Sequence, residues 1–135
     1  MEHVIELYTF SSCTSCRKAR EILTEHHIPF KERNMNTEPL SKDEIYHILA
    51  HTTNGTTDIM SKRSQDVKEL EVNFDEISLN KWVDLVHNNP GMLRRPLLLT
   101  NDHLIVGYNK EEYEGIVKKS KLKQKKHIAR KAMCV

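Results

Sequence analysis

The pair Cys13-Thr-Ser-Cys16 stands where an extended run gives way to a helical one, and this junction constrains the fold more than any other stretch. Before it, Val4–Phe10 (VIELYTF) is β-branched and aromatic and reads as a strand. After it, Ala19, Ile22, Leu23 and His26 recur at helical spacing, which predicts a helix from about Thr14 to about His26. A second short strand is expected over Phe30–Asn34, following Pro29. Strand, helix and strand within about thirty residues make a βαβ unit, which implies a parallel pair.

The next helix is marked at its start. Ser41-Lys-Asp-Glu44 is a capping box, in which each end satisfies the other's free N–H, and Leu40 and Ile45 stand where a hydrophobic staple packs. Ile45, Ile48 and Leu49 supply its apolar stripe. The loop HTTNGTTD centres on Gly55, and helical patterns resume at Ile59–Met60, at Val67–Leu70 and at Ser78–His87. In the last of these, Leu79, Trp82, Val83, Leu85 and Val86 are expected to face inward, and Asn88–Gly91 (NNPG) ends the helix. Leu97–Thr100 and Leu104–Val106 flank Asn101-Asp102-His103 and read as an antiparallel hairpin. A final helix begins near Asn109, whose side chain can cap it, with Glu112 three residues on. The simplest packing is a mixed four-stranded sheet with helices outside. This is an α/β fold close to a thioredoxin or glutaredoxin core, with an inserted helical region at about 38–90.

A length of 135 residues suits one domain, assigned to residues 1–117. From Lys118 the chain reads KKSKLKQKKHIARKAMCV, with 8 basic residues and no acid. Removing those 8 from the 21 Lys and Arg leaves 13 against 19 acids, so residues 1–117 carry about −6. Residues 118–135 therefore read as a basic, solvated, flexible extension of an acidic body, and whole-chain basicity is no argument for a folded nucleic-acid-binding surface. No run approaches the roughly 18 apolar residues that span a bilayer. MEHVIELYTF lacks a basic n-region and a small-residue cleavage site, so no secretory leader is expected and the chain reads as cytoplasmic.

Between a strand and a helix, C-x-x-C reads as a redox pair. Cys13 lies at the helix entrance, where free N–H groups and the positive end of the dipole favour a thiolate, and Arg17 and Lys18 add charge. Cys16 falls on the stripe running through Ala19 and Leu23 and should be more buried. Cys13 then reads as the attacking thiol and Cys16 as the resolving partner. Half of a zinc site is the rival reading, but closure needs two more ligands, and no second C-x-x-C exists. Two inert core cysteines are the other, poorly suited to a helix mouth beside Arg-Lys. No metal and no cofactor is assigned.

Arg94-Arg95-Pro96, before a predicted strand, is a second constellation. An arginine there could face Cys13 and hold a thiolate or a bound oxyanion, or both arginines are solvated loop charges. By pattern alone Gly55 is a turn residue needing positive φ, and Arg63 a surface cation. The eight histidines are scattered along the chain. Cys134 is either a reactive thiol or incidental.

The runs YTFSSCTSCRKAREIL, IPFKERN, TNGTTDIMSKRS, NPGMLRRPLLL and LIVGYN, in that order over about residues 3–113, resemble the Spx regulators of low-GC Gram-positive bacteria, within the arsenate reductase-like (ArsC) family. The resemblance implies a thioredoxin-type core with a helical insertion. It also implies a non-enzymatic global regulator that binds the C-terminal domain of the RNA polymerase α subunit and reads disulfide stress through its C-x-x-C switch. Carried over by position, the switch is Cys13 with Cys16, the polymerase contacts are Gly55 and Arg63, and Arg95 supports the oxidised form. Promoter DNA is implied only within the polymerase complex, and turnover by Clp protease through an adaptor that reads the family's C-terminal region. After GYN the family continues with an acidic helix ending in Leu-Pro-Arg, whereas this chain continues with the lysine-rich segment.

The rival within the same family is a glutaredoxin-coupled arsenate reductase, which needs a thiolate and several arginines around a tetrahedral oxyanion. Cys13, Arg63 and Arg95 could be three of those parts. The further arginine expected near the end of the hairpin is absent, with Gly107 in LIVGYN, and Cys16 stands where such reductases typically carry Ser. A general thiol–disulfide oxidoreductase would have no need of the long insertion.

Overall fold

The computed structural model describes residues 4–101 and 103–133, the stretch 124–133 by its backbone alone. The VIELYTF run forms strand β1, Ile5–Thr9, and helix α1, Thr14–Glu25, starts directly after the cysteine loop. Cys16, Ala19 and Leu23 are the buried stripe of α1, and His27, with φ of 55°, turns the chain toward the next strand. Strand β2, Phe30–Asn34, runs parallel to β1 with Ile5 opposite Phe30 and Thr9 opposite Asn34. The later hairpin forms β3, Leu97–Leu99, and β4, Leu104–Val106. It joins antiparallel, Tyr8 opposite Leu97 and Leu98 opposite Ile105, to give the order β2-β1-β3-β4. The mixed four-stranded sheet expected from the pattern is thus the observed one.

Leu97, Leu98 and Leu99 are all buried because both faces of the sheet are covered, so alternation is lost there. On one face, α1 and the last helix pack on Leu7, Leu98 and Ile105 through Ala19, Leu23, Tyr113 and Val117. On the other, the insertion packs on Tyr8, Leu97 and Leu99.

The insertion consists of α2 (Lys42–Leu49), α3 (Thr56–Ile59), α4 (Gln65–Glu69), α5 (Leu79–Asn88) and a 3-10 turn at Pro90–Met92. Both bonds of the capping box are made, Glu44 N–H to Ser41 Oγ at 3.1 Å and Ser41 N–H to the Glu44 carboxylate at 3.0 Å. Leu40 and Ile45 are buried as the staple requires. Trp82, Val83 and Val86 face the core, but Leu79 is 50% exposed. It shares their direction on the helix yet lies in the first turn, a turn ahead of Trp82 and past the end of the packed cluster. The insertion is stitched to the segment before β3 by Ser61 N–H to Met92 O at 2.7 Å, Arg94 N–H to Ile59 O at 2.8 Å, and the Met60–Leu93 bridge.

Helix α6 covers Lys110–Met133, and its start is capped by Asn109, whose Oδ1 accepts the Glu112 N–H at 3.1 Å. Residues 118–135 were expected as a flexible extension, but the backbone of 118–133 continues this helix. After Gly115 the helix meets neither Gly nor Pro, and Lys, Gln, Arg, Ala and Leu are good helix formers. Among the described residues no helix is long and apolar enough to cross a membrane. Cys134 and the hairpin residue Asp102 lie outside the described residues.

Candidate functional site: a cysteine pair at the mouth of α1

Ser12 holds a left-handed φ of 57°, which swings the chain so that Cys13 becomes the N-cap of α1. Its Sγ accepts the Cys16 N–H at 3.2 Å, one of the donors that a helix start leaves free. Cys13 and Cys16 are joined as a disulfide, their Cα atoms 5.2 Å apart. Cys16 is 1% exposed, whereas Cys13 is half-buried, as the spacing predicted. The cysteine loop is pinned from the β2 side by Ser11 N–H to Asn36 Oδ1 at 2.6 Å and Asn34 Nδ2–H to Ser11 Oγ at 3.1 Å.

Cys13 opens on a cleft of about 310 Å³ whose walls include Phe10, Ser12, Arg17, Arg20 and Asn34. No acid stands in the first turn of α1. With the disulfide reduced, a Cys13 thiolate would meet the helix N-terminus and two arginines, the surroundings that lower a thiol's pKa. Arg20 was missed in the sequence. Its guanidinium forks onto Glu32 at 2.5 and 2.6 Å, and Thr9 Oγ1 donates to the same carboxylate at 3.0 Å. The Arg20 hydrogen bonds hold the Glu32 carboxyl below its ordinary pKa against the opposing effect of burial, and Thr9 assists. The one available signal was position, since Arg20 lies one helical turn beyond Cys16.

Arg95 does not line this cleft. Its Nη2 donates to Gly91 O at 3.0 Å and Leu93 O at 3.2 Å, and its guanidinium carbon lies 4.0 Å above the Phe10 ring. Burial lowers its pKa, with Asp66 opposing. Of the two readings left open, an arginine facing Cys13 or a solvated loop charge, Arg95 follows neither: its part-buried guanidinium takes backbone carbonyls in and just after the 3-10 turn. Its stacking partner Phe10 is part of the cleft wall that also includes Cys13.

Gly55 has φ 77° and ψ −139°, a conformation nearly confined to glycine, and precedes α3 without a side-chain cap. Asp58 orders the loop instead, its carboxylate accepting the N–H groups of Asn54 at 2.9 Å and Thr53 at 3.0 Å. A Cβ at Gly55 would meet nothing within 4 Å. Arg63 is exposed, next to Ser64, whose hydroxyl donates to Gly91 O at 2.9 Å. The structure thus joins Cys13 to Cys16, stacks Arg95 on the Phe10 ring, and leaves Gly55 and Arg63 in the insertion. Among the described residues no group of three or more His, Cys, Asp or Glu could hold a metal ion.

The ArsC family model matches residues 8–116. The chain belongs to the ArsC family. Global transcriptional regulator Spx 1 of Oceanobacillus iheyensis is 51% identical over 109 residues, 81% of this chain and 83% of its own length. Global transcriptional regulator Spx of Streptococcus mutans is 40% identical over 121 residues, 90% of this chain and 88% of its own. Among solved structures, the arsenate reductase from Vibrio cholerae matches with a TM-score of 0.72 at 15% identity, over 87% of this chain and 98% of that one. At that identity the match shows the ArsC fold alone. The mixed four-stranded sheet with an inserted helical block is therefore the ArsC fold, and the chain is similar in sequence to Spx regulators.

Proposed function

We propose that this chain is a redox-controlled transcription regulator that docks on the C-terminal domain of the RNA polymerase α subunit. The observation that carries the reading is the pair itself, a half-exposed Cys13 at a helix mouth bonded to a buried Cys16, in a chain whose relatives are named global transcriptional regulators. A two-electron oxidant such as a peroxide takes the Cys13 thiolate to a sulfenic acid. The Cys16 thiol then condenses with it and releases water, so two thiols become one disulfide with the loss of two electrons and two protons. Arg95, stacked on Phe10 behind the pair, supports the oxidised arrangement. Gly55 and Arg63 meet the polymerase, the bare Cα of Gly55 letting a partner side chain approach the backbone. Promoter DNA enters through the polymerase complex, and the protein works in the cytoplasm without chemical turnover of its own. Clp protease with an adaptor is the route by which such a regulator would be kept scarce.

The test uses purified protein. Binding to the α C-terminal domain should be abolished by Gly55→Arg, which adds bulk where a partner would approach and also strains the φ 77° backbone, so an unchanged denaturant midpoint is needed to place the loss at the contact. Cys13→Ala should keep that binding and lose oxidant-dependent activation of transcription. Arsenate turnover with glutaredoxin in the absence of α-subunit binding would replace this reading with an enzymatic one. Three free thiols remaining per chain after diamide treatment would remove the switch.

A further inference from the structure

Charge in this chain is divided at Val117. Among the side chains described on α6, that residue is the last buried one, and the next ones, Lys118, Lys119, Lys121, Leu122 and Lys123, are exposed. Described ion pairing on α6 ends earlier, with Lys110 and Glu114 at 4.0 Å. The helix therefore leaves an acidic body of about −6 and carries 8 basic residues and no acid over positions 118–133. We propose that this part of α6 is a duplex-DNA contact that grips the phosphate backbone without reading base sequence.

Three properties favour that occupant. Lys118 to Lys131 spans about 20 Å of helix at 1.5 Å per residue, and a duplex offers one phosphate charge per about 1.7 Å of its axis. Lys119, Lys123, Lys126 and Arg130 recur at i, i+4, i+7 and i+11, so one stripe of the helix is basic at every position. The chemistry is lysine's: seven of the 8 cations are Lys, point charges that suit phosphates, whereas base readout and carboxylate forks favour Arg. An acidic protein partner fits less well, because protein interfaces are depleted in Lys and enriched in Arg and aromatics, and this segment has no aromatic residue. A membrane surface would call for a broad apolar face, and the segment holds only Leu122, Ile128 and Met133 as large apolar residues. The acidic body is repelled by the same phosphates, which confines the contact to the helix. The inference stands on this charge division and not on polymerase docking.

The experiment titrates the full chain against a fluorescein-labelled 20-base-pair duplex of arbitrary sequence, by anisotropy, over a series of salt concentrations. The wild type should bind with a steep negative slope of log K against log salt, and equally well to a scrambled duplex. The variant Lys119→Gln/Lys123→Gln/Lys126→Gln/Arg130→Gln should flatten that slope by about 4 and weaken binding at least about tenfold at low salt. Gln keeps the helix propensity of Lys, so circular dichroism should be unchanged. Changing the three lysines to Arg should retain the affinity. An unchanged slope in the neutralised variant, tighter binding to polyglutamate or to phosphatidylserine vesicles than to the duplex, or strong preference for one duplex sequence would each overturn the proposal.

Discussion

The two faces of the sheet are covered by unlike means. On the first, two helices close a small cluster over Leu7, Leu98 and Ile105, and α1 brings the buried Cys16 with it. On the second, four short helices and a 3-10 turn cover Tyr8, Leu97 and Leu99 around Trp82, and loop hydrogen bonds do much of the stitching. Gly55, Arg63 and Arg95 all belong to this second side, and Cys13 packs against its cluster while Cys16 does not. The first face is a scaffold, and the second carries the residues proposed for presentation to a partner. The cysteine bond lies at the mouth of α1, where Cys13 packs against the second cluster, and we propose that a change at these two sulfur atoms is relayed from there to the loops that meet a partner.

The largest expected effects come from truncating each side. Trp82→Ala should cost about 4 kcal/mol and Leu98→Ala about 3 kcal/mol, the usual range for large core residues that leave a cavity. If the faces form one cooperative unit, urea unfolding followed by fluorescence and by circular dichroism will stay coincident in Leu98→Ala. Separate transitions would show that the insertion melts independently and would break the proposed coupling. Trp82→Phe sharpens the point: the indole N–H is buried without a hydrogen-bond partner, so Phe deletes an unsatisfied donor and should cost less than about 1.5 kcal/mol.

Arg95 is the next lever, because it ties the turn before β3 to the Phe10 ring. Arg95→Met keeps much of the stem but leaves the carbonyls of Gly91 and Leu93 without this donor, at a cost of about 1–2 kcal/mol. Lys restores the charge without the planar stack and should rescue stability only in part. Equal stability of the Met variant and the wild type, measured by denaturant midpoint, would detach Arg95 from the cysteine cleft.

These regions were not equally legible in the sequence. The capping box at Ser41, the Asn109 cap, the βαβ unit and the hairpin are written in residues a few positions apart, so local chemistry decided them. Arg20 with Glu32 was not visible, because that pair exists only once β2 lies beside α1. The direction of Arg95 was undecidable for the same reason: its carbonyl partners and the Phe10 ring converge only through packing. Leu79 was misjudged because periodicity marks a direction around the helix and says nothing of where the neighbouring surface ends. The course of α6 past Val117 turned on composition: a segment with so much like charge read as solvated chain, whereas helix propensity without a breaker carries the backbone on.

The smallest effect distinguishes the faces by acid. Glu32, on the scaffold side, is held below its ordinary pKa chiefly by Arg20, and Asp58, on the presentation side, chiefly by the Asn54 N–H and then by that of Thr53. A carboxyl depressed in the folded state stabilises it above the unfolded value of about 4, and that contribution fades as pH falls through the folded value. Both sites stand in or near solvent, so screening keeps each effect modest. Glu32→Gln should therefore be slightly less stable than the wild type at pH 7, and its melting temperature should fall less steeply below about pH 4. Asp58→Asn should leave that global curve nearly unchanged and instead speed hydrogen exchange at the Thr53 and Asn54 amides, because the loop it orders can open while the sheet stays closed. Melting curves that run parallel for Glu32→Gln and wild type would mean that the Arg20 fork adds nothing to the scaffold. A global loss in Asp58→Asn would mean that the Gly55 loop is part of the scaffold after all.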